Sequence, residues 1–81
     1  MEEDFRHIFY PDDPERETMA RLRRLADPGK ITYLVNLPGE NPFRMVQNKF
    51  GQWEFEDRMN APLSAMHFET ELIRVIRENE A

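Results

Sequence analysis

Eighty-one residues, 33% of them charged and 40% hydrophobic, allow one small domain with a packed core and leave little room for a large catalytic cleft. The absence of cysteine excludes disulfides, thiolate nucleophiles and Cys-ligated zinc. Sixteen acids against eleven bases give a net charge of -5, which disfavours a general affinity for phosphate backbones.

The opening Met1-Glu2-Glu3-Asp4 lacks the basic and apolar regions of a secretory signal, and no apolar run reaches the roughly 18 to 20 residues of a membrane span. The expectation is a cytoplasmic protein without a membrane partner, folded as a single domain over 1-81. Residues 1-10 carry Phe5, Ile8, Phe9 and Tyr10, too apolar for free solvation and too few to assign to helix or strand. They are expected to dock on the domain or on a partner.

The first predicted element is a helix from about Pro14 to Ala26, with Asp13 as its cap and Pro14 in the first helical position. Met19, Leu22, Leu25 and Ala26 form its apolar stripe. Pro28 and Gly29 end it. From Ile31 to Leu37, alternation places Ile31, Tyr33, Val35 and Leu37 on one face of a strand and Thr32, Leu34 and Asn36 on the other.

Pro38-Gly39 fits the centre of a type II turn, and a second strand follows over Phe43 to Asn48. Gly51 marks a hairpin into a third strand, Gln52 to Asp57, with Trp53 and Phe55 on one side and Gln52, Glu54 and Glu56 on the other. The last element is an amphipathic helix that starts between Asn60 and Ser64 and runs to about Asn79. Ala65, Phe68, Leu72, Val75 and Ile76 form its apolar side, and Leu63 and Phe68 would staple a Ser64 cap.

This order predicts an α+β fold: a two-layer αβββα core over 13-80, a three-stranded antiparallel meander with both helices on one face. Over Pro14 to Asn79 the order resembles that of double-stranded RNA-binding domains, at the level of topology alone. That family carries lysines at the start of its last helix, where this chain reads Asn60-Ala61-Pro62-Leu63-Ser64-Ala65-Met66. No RNA-binding role therefore follows from the resemblance.

No residue set makes a catalytic, cofactor or metal site. His67 and Glu71 have ligand spacing on one helix face, but that face is the solvated one and lacks a third ligand. Ser64, near His67, has no glycine elbow and no orienting third group, and reads as a helix cap. Glu54 and Glu56 project about 7 Å apart from one strand face, without the cleft that would raise one pKa by burial. The expectation is a protein that is not an enzyme and needs no cofactor.

Two surfaces stand out. With Trp53 and Phe55 turned to the helices, the outer sheet face presents Leu34 and Val46 among Arg44, Glu54 and Glu56, an apolar centre with a charged rim as in many partner sites. The amino-terminal aromatics are a competing cover for that centre. The second surface is the basic island Arg16, Arg21, Arg23 and Arg24 on the first helix, an alternative nucleic-acid site whose bland reading is favourable helix electrostatics of about 0.3 to 1 kcal/mol per charge.

The leading expectation is a small acidic regulatory module that binds a larger protein through Leu34, Arg44, Val46, Glu54 and Glu56. Acting as an inhibitor or nucleic-acid mimic is one version of it. The exposed edges of a short sheet are also compatible with a homodimer.

Overall fold

The computed structural model describes residues 2-81. It is an α+β fold with five strands followed by two helices: β1 Glu2–Phe9, β2 Thr18–Asp27, β3 Lys30–Asn36, β4 Phe43–Gln47, β5 Trp53–Phe55, α1 Leu63–His67 and α2 Glu69–Glu80. The strands form one antiparallel sheet in chain order, β1-β2-β3-β4-β5.

Two expectations are corrected. The segment read as the first helix is strand β2, and the unassigned amino-terminal segment is strand β1, so the sheet has five strands rather than three. The αβββα order is thereby replaced, and the topological likeness to double-stranded RNA-binding domains goes with the leading helix.

Arg, Leu, Ala and Met favour helices in isolation, but by only tenths of a kcal/mol per residue, and tertiary pairing overrides that preference. Here β2 pairs on both sides, from Glu2↔Leu25 to Phe9↔Thr18 with β1 and from Arg21↔Asn36 to Asp27↔Lys30 with β3. Asp13 does cap a local structure, but a turn: its Oδ1 accepts from the Glu15 amide at 3.2 Å and its carbonyl from the Arg16 amide at 3.0 Å. A turn at this point returns the chain beside β1.

Cross-strand partners share a face, so the register sorts the sheet into two sides. One side carries Phe5, His7 and Phe9, then Ala20, Leu22 and Arg24, then Ile31, Tyr33 and Val35, then Phe43 and Met45, then Trp53 and Phe55. Leu22, Tyr33, Val35 and Met45 are fully buried there, with Leu72 and Ile76 of α2 in the same cluster. At about 25 cal/mol per Å2, burying each such side chain favours folding by roughly 1.5 to 3 kcal/mol.

The final helix is interrupted at Phe68, which has φ -105° and ψ 7° and separates α1 from α2. Its ring stacks on Phe9, centroids 4.2 Å apart and planes inclined by 21°, which ties the helix pair to β1. The expected Ser64 cap is absent: Pro62 occupies the cap position, and Ser64 Oγ is buried without a hydrogen-bond partner among the described residues. Two turns follow the sequence reading. Gly39 has φ 76° and the Glu40 amide donates to Leu37 O at 3.1 Å around Pro38-Gly39, and Gly51 has φ 81° before β5.

Candidate docking face

The second side of the sheet faces away from the helices. Its rows run across the strands: Asp4, Arg23, Leu34 and Arg44 in one, Arg6, Arg21 and Asn36 in the next, and Leu25, Thr32, Val46 and Glu54 on the other flank. Leu34 and Val46 are half-buried, whereas Arg44 and Glu54 are exposed. Thr32 is buried in this face between Leu25 and Val46, and the amino-terminal segment does not cross it, because that segment joins the sheet edge and turns Phe5 and Phe9 toward the core instead.

Leu34, Arg44, Val46 and Glu54 therefore lie together on one open face. Glu56 follows β5 and stays beside them through its backbone amide, which donates to Arg44 O at 2.9 Å. Its carboxylate lies 3.8 Å from Lys30 Nζ. A shallow concavity of about 330 Å3 opens at this corner, lined by Leu34, Pro42, Arg44, Glu56 and Asp57.

The arginine island does not hold together as a site, because its common helix face does not exist. Arg16 lies in the turn after β1 with its guanidinium 4.6 Å from the centre of the Tyr10 ring. Arg24 points to the core side and pairs with Glu80 at 2.6 Å. Only Arg21 and Arg23 reach the open face, where they join Arg44.

Arg6 and Asp4 complete that face and were missed while residues 1-10 stood unassigned. The period-two alternation of Asp4, Arg6 and Ile8 against Phe5, His7 and Phe9 is the signal that finds them. Arg21 donates from Nε and Nη2 to the Asp4 carboxylate, the shortest contact 2.8 Å, and this hydrogen bond holds the Asp4 carboxyl below its ordinary value of 3.8. Arg23 lies 3.7 Å from the same carboxylate.

By register the face carries Arg6, Arg21, Arg23, Lys30 and Arg44 with the carboxylates Asp4, Asp27 and Glu54, and Glu56 lies beside them, in a molecule of net charge -5. Neither Arg6 nor Arg44 makes an ion pair among the described residues. Bases and acids are thus near balance on this face, with Arg23 and Arg44 flanking Leu34, and the acidic excess lies elsewhere on the chain.

Among the described residues, Ser64 and His67, His67 and Glu71, and Glu54 and Glu56 make no hydrogen bond with one another. Glu71 Oε2 accepts from His7 Nε2 at 3.0 Å rather than meeting His67, and among the described residues no cluster of three His, Asp or Glu could hold a metal. No described helix is long and apolar enough to cross a membrane. Comparison with protein-family models, with curated proteins and with solved structures finds no match to this chain.

Proposed function

We propose that the chain is a non-catalytic binding module that docks a larger protein through its open sheet face, and that the partner offers an acidic segment with an apolar residue for Leu34. The observation that supports this reading is the row Arg23, Leu34, Arg44 on an uncovered surface. Arginines around a half-buried aliphatic centre combine apolar contact with bidentate hydrogen bonding to carboxylates. Complementary charge would chiefly set partner choice and the rate of encounter.

Arg23 and Arg44 on either side of Leu34 turn the mimicry idea around, since arginines call for an acidic partner rather than a basic one. Nucleic acid is the second candidate for arginines on a sheet face. Sheet platforms for single strands stack bases on exposed aromatic rings, and no described side chain of this face is aromatic.

Parallel affinity capture with the native chain, Leu34→Asp and Arg44→Glu tests the reading, with Arg77→Glu on the exposed side of α2 as control. The expected result is an acidic protein held by the native chain and by Arg77→Glu. Its affinity should fall at least tenfold, about 1.4 kcal/mol, for the two sheet variants. Equal capture by all four chains, or a preference for single-stranded oligonucleotide, would overturn it.

A further inference from the structure

The sheet has one long free edge. β1 pairs with β2 over eight residues and, among the described residues, with no strand on its other side. The opposite edge, β5, spans three residues. A long edge of unpaired amides and carbonyls is a template for another strand, and natural chains blunt it with charge unless it is used.

The charges on β1 are ordered so as to fit a copy of themselves. Read from its start, the strand places the acids Glu3 and Asp4 before Phe5, and the base Arg6, followed by the imidazole of His7, after it. A strand whose charge reverses about its centre is complementary to itself when paired antiparallel, because directly opposed unlike charges stabilise a ladder and like charges destabilise it. We infer that β1 pairs with β1 of a second copy about a twofold axis at Phe5, giving a ten-stranded sheet continuous across the dimer.

This register is singled out by the residues. It opposes Asp4 to Arg6 twice, Glu3 to His7 twice, and Phe5 to Phe5 on the axis. Sliding by two residues one way opposes Arg6 to Arg6, and the other way Asp4 to Asp4. Sliding by one places the half-buried Phe5, which stands edge-on to Tyr33 at 6.3 Å, opposite a side chain of the solvent face.

The groups concerned are able to make these pairs. Arg6 is exposed and has no ion-pair partner among the described residues of its own chain. Asp4 keeps lone-pair directions beyond those taken by Arg21. Because this register keeps both open faces on the same side, the dimer would present two docking faces side by side.

The chain contains no cysteine, so one engineered thiol reports the register without background. Sedimentation equilibrium of the native chain is expected to give the dimer mass, and Arg6→Asp, which opposes Asp4 with a second carboxylate, to raise the dimer dissociation constant at least tenfold. Under mild oxidation Phe5→Cys is expected to form an intermolecular disulfide. Arg6→Cys, although more exposed, should form little, because its two copies lie beyond the roughly 7 Å separation of Cα atoms that a disulfide spans. A native chain that sediments as a monomer up to its solubility limit would refute the dimer. Cross-linking of position 6 as readily as position 5 would refute the register.

Discussion

Arg24 of β2 grips Glu80, the last residue of α2, with Nε 2.6 Å from Oε2 and Nη2 3.2 Å from Oε1. A carboxylate at the carboxyl end of a helix opposes the macrodipole by about 0.3 to 1 kcal/mol, so its presence there needs an offsetting partner. The two-point guanidinium contact supplies one, and the Tyr33 hydroxyl donates a further hydrogen bond to Oε2 while accepting from Asn79 Nδ2 at 2.7 Å. Both ionic side chains are only about one-fifth exposed, 20% and 22%.

Removing Glu80 should therefore cost far more than removing an exposed neighbour. Glu80→Ala is expected to lower the unfolding free energy by about 2 kcal/mol, the range for hydrogen bonds to charged groups. Glu78→Ala, which loses only an exposed i, i+4 pair with Arg74 at 3.0 Å, should change it by less than about 0.5 kcal/mol. Urea unfolding of the two variants checks the contrast, and equal losses would contradict the anchoring role of Arg24.

The same cluster contributes at both ends of the pH range. The Arg24 hydrogen bond holds the Glu80 carboxyl below its ordinary 4.5. A carboxyl whose pKa is depressed by folding contributes stability that is complete above the unfolded value and is lost as pH falls through the folded one. Burial, and then the hydrogen bond to Glu80, push the Tyr33 phenol from 10.0 up to about 12. A raised pKa has the opposite sign: its contribution is complete below pH 10 and is lost as pH rises toward 12. Tyr33→Phe should flatten the alkaline limb of a stability profile, and Glu80→Gln the acid limb below pH 4.5, as followed by circular dichroism.

That cluster also explains which parts of the fold were legible in the sequence. β5 alternates cleanly, as do residues 33-36 of β3 and 43-46 of β4, and Trp53 and Phe55 are buried while Glu54 is exposed, so Leu34, Arg44, Val46 and Glu54 could be assigned to one face. β2 carries Arg24 on its core side, which breaks the period-two pattern and leaves a helix-like run of Arg, Leu and Ala. The inward charge makes sense only beside Glu80, fifty-six residues away. His7 disguises β1 in the same way, since its inward ring is satisfied by Glu71 of α2. With β1 and β2 unread, Arg23 and Arg6 could not be placed next to Leu34 and Arg44.

The hairpin joining β2 to β3 turns on Pro28-Gly29, with Asp27 opposite Lys30 and Gly29 at φ 79°. A Cβ at Gly29 would meet no heavy atom within 4 Å, so the cost of a side chain is conformational and not steric crowding by neighbours. Gly29→Ala should destabilise by about 1 to 2 kcal/mol, the penalty for an L-residue in left-handed backbone. Replacement by D-alanine in a synthetic chain removes that penalty and restricts the unfolded state, and is expected to stabilise by about 0.4 to 1 kcal/mol. Thermal unfolding of the two peptides decides it, because loss of stability in both would place the strain elsewhere.

Leu22 and Leu25 discriminate between a strand and a helix at 18-27. On a helix both leucines would belong to one buried stripe and cost similar amounts on truncation. In the sheet Leu22 stands opposite Phe5 and Val35 on the core side and is fully buried, whereas Leu25 stands opposite Thr32 on the open face and is half-buried. Leu22→Ala should cost about 3 kcal/mol through lost transfer energy and the cavity left behind. Leu25→Ala should cost about 1 kcal/mol, since solvent can fill the space on an open face. In a domain whose whole stability is on the order of 4 to 12 kcal/mol, the first change removes a large share and the second a small one. Paired urea titrations that return equal losses for the two variants would reject the strand and, with it, the open face built on Arg23 and Leu34.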